Sequence, residues 1–292
     1  MNNSAKQEKK ERKRREKKSM KQAMAKELRE HRSSFIVFYT LRILVLVVLV
    51  RQLFLHNYEG AFFCILTILL LYVPSWIQVK LHIELPPALE ITILCFIFAA
   101  EILGEVNAFY VNVPNWDTML HTLNGFLCAA IGFALVDILN RSERFSISLS
   151  PLFLALVAFC FSMTIGVLWE FFECTMDHFF LLDMQKDTVV HSISSVMLDP
   201  LGGNHPTAIR DITDVIVVTA DGVQHALGLG GYLDIGILDT MKDLFVNFIG
   251  AVVFSVIGYF YVKSRGKGQF ARRFIPQVLP AEEEQKEIKS VE

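Results

Sequence analysis

Long apolar stretches alternate with short polar or basic segments over most of this chain of 292 residues. An α-helix needs about 20 apolar residues to cross the hydrocarbon core of a bilayer. The pattern therefore predicts an all-α integral membrane protein in which six transmembrane helices form a bundle. The first span lacks a small-residue cleavage site, which favours a retained helix over a cleaved signal peptide. The predicted spans are Phe35–Leu55, Tyr58–Val79, Ala88–Tyr110, Asp117–Asn140, Pro151–Glu173 and Asp239–Val262.

The segment between the fifth and sixth spans has a different pattern. Within it, Asp214–Leu227 consists of a β-branched run, an Asp-Gly pair and a second short run. Such a sequence is typical of two antiparallel strands joined by a tight turn. We therefore expect a small β-hairpin in this insert, which either folds back over the mouth of the bundle or is structured by its own hairpin alone.

Basic residues predict the orientation of the bundle, because segments rich in Lys and Arg stay on the cytoplasmic side. With six spans, the N-terminal arm, Lys80, the loop Arg141–Arg144 and the tail Lys263–Arg273 share one side. Both termini are then cytoplasmic in a plasma-membrane protein, and the insert is extracytoplasmic. The chain divides into a basic cytoplasmic arm (1–34), spans one to five (35–177), the insert (178–238), the sixth span (239–262) and a cytoplasmic tail (263–292).

Composition and charge support the membrane assignment. Hydrophobic residues make up 53% of the chain, more than an ordinary soluble domain contains. Between Lys6 and Arg32, thirteen Lys or Arg face five Glu. Next to a hydrophobic span, such an arm favours contact with membrane lipids, in particular anionic headgroups, and no nucleic acid is expected as a partner. A solvated helix that only sets the topology explains the same charges.

Ionisable residues recur three or four positions apart within or beside four predicted spans. On a helix this spacing puts side chains on one face, so each stripe is expected to face a neighbouring helix. In the predicted topology all four stripes lie at the outer edge of the membrane, where buried ionisable residues are usually functional. The stripes are Glu101 with Glu105, Asp117 with His121, Glu170 with Glu173 and Asp177, and Asp239 with Asp243 and Asn247.

These stripes indicate a cation or proton site. So many carboxylates cannot all stay ionised in a low dielectric without cations or shared protons. Lys242 is the only nearby lysine, and it can point away from the stripe. Carboxylates with one imidazole suit a divalent cation or a proton relay, whereas the Glu-x-x-His repeat of di-iron bundles is missing. The candidate metal ligands are Asp117, His121, Glu170, Glu173, Asp239 and Asp243, and the candidate catalytic residues are these six with Glu101 and Glu105.

A short internal repeat suggests where the stripes meet. Asp117–His121 reads DTMLH, Asp239–Asp243 reads DTMKD, and each begins a span that is entered from the outer side. Each also follows a span with acidic residues at its outer end. We interpret spans three–four and five–six as two copies of one hairpin, related by an axis along the membrane normal, with the site between them.

The same residues resemble a known family. From about Glu101 to Tyr261 the chain is similar to the YjdF-type bacterial inner-membrane proteins, a family of unknown function. The blocks that carry the resemblance are Asp117-x-x-x-His121 with Gly125, Trp169–Glu173, and Tyr232–Asp243 with Gly250-Ala251.

The resemblance has two departures and one extension. Asp234-Ile235-Gly236 stands where the family has Gly-Thr-Gln-Gly, and Met241 replaces its second Gln, so no role of those Gln side chains carries over. The scaffold is also distantly similar to VanZ-type proteins, which are associated with tolerance of glycopeptides at the cell surface. The resemblance implies the bundle and the site but supplies no reaction.

Three functions from different classes fit these features, and whether the protein is an enzyme stays open. The first is a membrane enzyme or binding protein with an outward-facing divalent-cation site that acts on a lipid-linked or phosphate-bearing envelope substrate. The second is a non-catalytic envelope protein in which the polar network stabilises the bundle and the insert binds a partner. The third is an ion-coupled transporter, which needs polar groups nearer the cytoplasm, where spans three to six offer Glu90 and Asp137.

Overall fold

The computed structural model describes residues 32–81, 83–141, 149–264, 266 and 268–278, and this part of the chain is mostly helical. Five of its helices are long and apolar enough to cross a membrane. The prediction of a multi-pass helical membrane protein is confirmed in this form. The basic arm before residue 32, residues 142–144 of the basic loop and the tail beyond residue 278 lie outside the described residues. The five helices are Arg32–Phe54, Tyr58–Lys80, Trp116–Asp137, Pro151–Phe180 and Ile237–Lys263.

The elements follow one another in a simple order. The helices are α1 (Arg32–Phe54), α2 (Tyr58–Leu70), α3 (Val73–Leu81), α4 (Pro87–Phe98), α5 (Phe109–Asn112), α6 (Trp116–Arg141), α7 (Pro151–Phe180), α8 (Ile237–Lys263) and α9 (Gln269–Arg272). A π-helix, Ala99–Val106, continues α4, and Val196–Leu198 forms a single 3-10 turn. The strands are β1 (Ile83–Glu84), β2 (Val189–Val190), β3 (Ile193–Ser195), β4 (Thr207–Ile209), β5 (Ile216–Val218), β6 (Gln224–Ala226), β7 (Tyr232–Leu233) and β8 (Gln277–Val278).

The third predicted span, Ala88–Tyr110, is helical but is not one α-helix. Its 12-residue α4 passes into an 8-residue π-helix. The chain then turns at Ala108, whose φ is 54°, before the short α5. Because neither α4 nor the π-helix alone has the length of a membrane crossing, the described helices leave the predicted count of six spans unsettled. Single π-turns within helices frequently mark functional sites.

Local sequence explains where two of the long helices change or begin. Proline has no N–H, so Pro74 cannot bond the carbonyl of Leu70, and α2 ends there before α3 continues the same apolar run. At the start of α7, the Ser150 hydroxyl accepts a hydrogen bond from the Phe153 N–H at 3.2 Å, and Pro151 occupies the first helical position. Both residues are favoured at helix starts, where the first N–H groups have no partner within the helix. The serine hydroxyl accepts a hydrogen bond from one of these groups, and proline has no N–H to leave unpaired.

Helices α6, α7 and α8 pack on one another along most of their length and form the centre of the bundle. His121 lies near Asp243, and Phe133 lies against Gly258, so α6 and α8 run in the same direction. The Ser162 hydroxyl of α7 donates to the carbonyl of Gly125 on α6, while His121 of α6 approaches Glu170 of α7, so α7 runs oppositely. The starts of α6 and α8 and the end of α7 therefore lie at one end of the bundle. The insert connects α7 to α8 at this same end.

Glycines let α6 and α8 approach backbone to backbone. A Cβ built on Gly125 would lie 2.1 Å from the carbonyl oxygen of Asn247, and one on Gly250 would lie 2.0 Å from that of Thr122. Small residues at such crossings are what allow membrane helices to pack closely. Farther from the insert than this contact, the rings of buried Phe133 and Phe254 pack edge to face, with their centroids 6.1 Å apart. The half of the bundle remote from the insert is therefore packed mainly with apolar side chains, among which Asp137 and Ser255 are also buried.

The insert contains three two-stranded antiparallel pairs, β2–β7, β3–β4 and β5–β6. In the last pair Ile216 faces Ala226 and Val218 faces Gln224, so the structure has a hairpin within the predicted range Asp214–Leu227. All residues of β5 and β6 are exposed. At the base of the insert, desolvation, followed by the charges of Asp183 and Asp234, raises the pKa of Asp187.

Residues 181–188 of the insert, which we call the strap, lie across the ends of α7 and α8. The Asp177 carboxylate at the end of α7 accepts hydrogen bonds from the N–H groups of Met184 at 2.6 Å and Gln185 at 2.8 Å. The Lys186 N–H donates to Asp239 Oδ2 of α8 at 2.9 Å. The base of the insert is therefore attached to the bundle, whereas the β5–β6 hairpin is exposed.

Replacement of Asp177 by alanine will loosen the strap. The N–H groups of Met184 and Gln185 lose their acceptor, so we expect their hydrogen exchange to accelerate by about tenfold, the equivalent of roughly 1.4 kcal/mol of local stability. Hydrogen-exchange mass spectrometry of peptides covering 181–188 measures the change. The matched control is Asp183→Ala, because Asp183 is exposed and its carboxylate contacts Lys186 within the strap itself. Equal exchange in wild type and Asp177→Ala would contradict this account.

At the opposite end, the segment after α8 returns to the bundle. β8 pairs with β1, so that Val278 faces Ile83. Ala271 of α9 and Ile275 are buried against the apolar centre of α6, α7 and α8, and the ring of Phe274 lies 5.2 Å from that of Phe126. This part of the predicted tail is thus packed protein.

Candidate functional site

The end of the bundle beneath the strap contains a group of charged side chains from three helices. α6 contributes Asp117 and His121, α7 contributes Glu170, and α8 contributes Asp239, Lys242 and Asp243. We call these six residues the polar cluster. On α6 His121 is four residues after Asp117, and on α8 Lys242 and Asp243 are three and four residues after Asp239, so the side chains of each helix project from one face.

His121 is the centre of the polar cluster. Its Nε2 lies 3.4 Å from Asp117 Oδ1 and 3.9 Å from Asp243 Oδ2. Its Nδ1 lies 3.8 Å from Glu170 Oε1, so the ring faces carboxylates of all three helices. The side chain is only 11% exposed. A group in this position can hold a proton or a metal ion between the three helices.

Lys242 reaches the same carboxylates from the other side. Its ammonium donates a hydrogen bond to Asp239 Oδ1 at 2.9 Å, and it lies 3.8 Å from Asp243 Oδ1 and 4.0 Å from Asp117 Oδ2. The lysine therefore points into the polar stripe, contrary to the orientation away from it that the sequence allowed.

Two of the carboxylates have a buried oxygen with no hydrogen bond. Asp243 is 1% exposed and Glu170 is 4% exposed. Among the described residues, nothing donates a hydrogen bond to Asp243 Oδ1 or to Glu170 Oε2. Such atoms are rare in folded proteins and indicate a bound ion, water or proton. Together with His121 they are the atoms of the polar cluster that a ligand could contact.

Asp117, His121 and Asp243 have the geometry of a metal site. One ligand atom from each residue can be chosen so that all three lie within 4.8 Å of one another. Two carboxylates and one imidazole suit manganese, zinc or iron better than calcium, which prefers oxygen ligands alone. These three residues are therefore the ones that could hold a metal.

Two further predicted residues lie at the edge of the polar cluster. Glu173 is 8% exposed, and its Oε1 accepts a hydrogen bond from Trp169 Nε1, one helical turn earlier, at 2.8 Å. Asn247 lies deeper in the bundle, where its Oδ1 accepts from Asn124 Nδ2 at 3.2 Å. Glu173 thus places a further carboxyl group one helical turn after Glu170, and Asn247 lies one turn deeper in α8 than Asp243.

Glu101 and Glu105 are not members of the polar cluster. Both lie on the π-helix, where Glu101 is half-buried and Glu105 is exposed. Among the described residues, no salt bridge joins either glutamate to the polar cluster. Tyr110 lies within electrostatic range of both glutamates and of Asp117, so these residues are near the site without contacting it.

Comparison with known proteins places this arrangement in a family. A family model described as a predicted membrane protein, DUF2238, matches residues 37–264. The chain belongs to this family. The match is consistent with the resemblance to YjdF-type proteins of unknown function. No curated protein matches the chain, and no solved structure does.

The DUF2238 match includes every residue of the polar cluster and the whole insert. It ends before α9, so the packed segment Gln269–Val278 lies beyond the matched range. The description of DUF2238 names a membrane protein without a reaction, so the chemistry has to be inferred from the residues themselves.

Sequence reasoning missed Lys242 as a member of the polar cluster. A signal for it was present, because Lys242 is three residues after Asp239, and side chains three apart on a helix can pair. The spacing alone also suited an outward-pointing lysine. Which way its long side chain turns depends on Asp117 of α6, which the sequence of α8 does not contain.

Proposed function

We propose that the polar cluster binds one divalent cation through Asp117, His121 and Asp243. The observation that carries this proposal is the approach of their three ligand atoms to within 4.8 Å. The buried, unbonded Asp243 Oδ1 and Glu170 Oε2 support it, because a cation satisfies such oxygens. Glu170, Glu173 and Asp239 are then further ligands or acid–base groups around the ion.

The balance of charge also supports a bound cation. Asp117, Asp239 and Asp243 with Glu170 and Glu173 provide five carboxylates, whereas Lys242 and His121 are the positive or protonatable partners near them. Four of the five carboxylate residues are less than 9% exposed, namely Glu170 and Glu173 on α7 and Asp239 and Asp243 on α8. Like charges buried together must bind protons or cations to remain in a low dielectric. A divalent ion supplies two positive charges at the point where they are needed.

We further propose that the ion serves a membrane-embedded enzyme or binding protein that acts on a lipid-linked or phosphate-bearing envelope substrate. A divalent cation polarises a phosphoryl oxygen and can bind it directly. Lys242 is 47% exposed, so the polar cluster is accessible from the end of the bundle that carries the insert. Glu170, 3.8 Å from His121, is placed to exchange a proton with a group bound beside the ion.

The proposed setting is the plasma membrane, with six crossings, cytoplasmic termini and the polar cluster on the outer side. α4 and the π-helix together supply 20 residues of helix, which is the length of the missing crossing. The basic residues favour this orientation. In this setting membrane lipids surround the bundle, and anionic lipid contacts the basic arm. The VanZ-like relationship remains part of the same proposal.

Transport is less well supported than binding or catalysis. A carrier needs polar groups on both sides of its site. On the far side of Asn247, buried Phe133, Phe254 and Ala251 pack together, and the buried polar side chains in that half are Asp137 and Ser255 among the described residues. A non-catalytic envelope protein is the alternative, since Lys242 and His121 already connect α6 with α8 through charge pairs.

The metal content of the purified protein tests the proposal. We expect elemental mass spectrometry to find one divalent ion per chain in wild type and a loss of nearly all of it in the double variant Asp117→Asn, His121→Ala. The matched control is His178→Ala with Asp183→Asn, which removes the same residue types outside the polar cluster. Metal that is absent from wild type, or retained in the Asp117 and His121 variant, would refute the site. Thermal unfolding of each sample confirms that the variants are folded.

A further inference from the structure

Lys242 and His121 contact the same two carboxylates from opposite sides. Asp117 turns Oδ1 to His121 and Oδ2 to Lys242. Asp243 turns Oδ2 to His121 and Oδ1 to Lys242. The lysine ammonium thus lies beside both carboxylates of the proposed metal triad, without being one of its ligands.

We propose that Lys242 is a tethered competitor of the divalent cation, which neutralises Asp117 and Asp243 when no metal is bound and is displaced toward Asp239 when metal enters. This inference rests on the proposed function of the polar cluster. It assigns to Lys242 the role of setting the affinity of the site, so that only a cation of sufficient charge and concentration replaces the ammonium.

The distances indicate that the Lys242 ammonium can leave Asp117 and Asp243 without leaving Asp239. Lys242 is bonded to Asp239 at 2.9 Å, whereas its distances to Asp243 and Asp117 are 3.8 Å and 4.0 Å. The two longer contacts are the weaker ones, because charge attraction and hydrogen bonding both weaken with distance. With the side chain 47% exposed, the ammonium can move outward while it keeps its bond to Asp239.

Asp239 is held in place to receive the lysine. Its other oxygen, Oδ2, accepts the Lys186 N–H of the strap at 2.9 Å, and the residue is 8% exposed. It also lies in the first turn of α8, where a negative charge is favoured by the helix dipole. Asp239, held in this way, therefore keeps Lys242 near the site in both states.

Titration of the metal-free protein with Mn²⁺, followed by electron paramagnetic resonance of the free ion, tests the inference. We expect Lys242→Gln to bind Mn²⁺ at least about tenfold more tightly than wild type, because a unit positive charge close to the ion is removed. Lys242→Arg keeps the charge and is expected to bind more weakly than Lys242→Gln. The matched control is Lys186→Gln, since the Lys186 ammonium pairs with Asp183 at the same end of the bundle and outside the polar cluster.

A second measurement uses wild type, so it does not depend on how a variant folds. Amine acylation followed by mass spectrometry compares Lys242 with Lys186 in the presence and absence of Mn²⁺. A nearby cation displaces the Lys242 ammonium from Asp117 and Asp243 and moves it outward, so its labelling is expected to rise several-fold relative to Lys186. Labelling of Lys242 that is unchanged or reduced while Mn²⁺ binds would overturn the inference.

The outcomes separate the two proposals. If Mn²⁺ binds neither to wild type nor to any variant, the proposed function is refuted, and the inference about Lys242 is refuted with it. If wild type binds Mn²⁺ but Lys242→Gln binds it equally or more weakly, only the role of Lys242 is refuted. If Lys186→Gln tightens Mn²⁺ binding as much as Lys242→Gln does, the tighter binding comes from loss of any positive charge at this end of the bundle. Competition by Lys242 is then refuted as well.

Discussion

Replacement of Gly250 by valine will prevent α6 and α8 from reaching their observed contact. Even the first added carbon would lie 2.0 Å from the Thr122 carbonyl oxygen and 2.8 Å from the Phe126 nitrogen. Both are backbone atoms of a helix, so no side-chain rotation relieves the overlap. We expect the unfolding free energy to fall by more than about 3 kcal/mol, since overpacking against flexible neighbours alone costs about 1–3 kcal/mol. Thermal unfolding in detergent measures the loss.

The matched control for this substitution is Val253→Phe on the same helix. Val253 is 46% exposed, so a larger apolar side chain there extends into the surroundings of the bundle. We expect little change in stability. Gly125→Val is the reciprocal test on α6, because its added carbon would lie 2.1 Å from the Asn247 carbonyl oxygen. Wild-type stability in both glycine variants would mean that α6 and α8 do not pack in this way.

The second large effect is the response of stability to metal. If the polar cluster binds a divalent cation, Mn²⁺ at one hundred times its dissociation constant stabilises wild type by about 2.7 kcal/mol. We expect the Asp243→Asn variant to gain nothing, because a neutral amide replaces a charged ligand that is 1% exposed. The measurement is thermal unfolding with and without Mn²⁺. Asp183→Asn, an exposed carboxylate outside the polar cluster, is expected to behave as wild type.

The same samples also distinguish a binding site from a purely structural network. The deciding quantity is the change in stability that Asp243→Asn causes in the absence of metal. In a binding site the crowded carboxylates repel one another, so removal of one charge leaves the metal-free protein as stable as wild type or more stable. In a structural network, loss of Asp243 removes a carboxylate that Lys242 and His121 share, although both keep their contacts to Asp117. We then expect the metal-free protein to lose about 1–3 kcal/mol of stability. A large loss, combined with no response of wild type to Mn²⁺, would favour the non-catalytic alternative.

Part of the candidate site could be predicted from spacing. Asp117 with His121 and Asp239 with Asp243 are each four residues apart, and each pair does share one helix face in the structure. The repeat DTMLH and DTMKD lies on α6 and α8, which run in the same direction with His121 beside Asp243. Its interpretation as a duplicated hairpin stays a prediction, because α4 and the π-helix differ in form from α7.

Other parts of the site could not be predicted from spacing. Glu101 and Glu105 have the same four-residue spacing, yet they lie on the π-helix and make no salt bridge to the polar cluster among the described residues. Lys242 has a spacing that suits either orientation, and it turns inward toward Asp117 of another helix. In both cases the position of the side chain relative to the polar cluster depends on how different helices pack, which the spacing within one helix does not contain.

The sequence by itself determined that this is a multi-pass helical membrane protein, because hydropathy and helical periodicity are local properties of each segment. It also determined which residues share a helix face, since that depends only on their spacing. Only the tertiary structure decided that α6, α7 and α8 meet at one site, and that Lys242 belongs to it. Those features depend on how far each helix is rotated and how closely it approaches its neighbours, which packing at Gly125 and Gly250 controls.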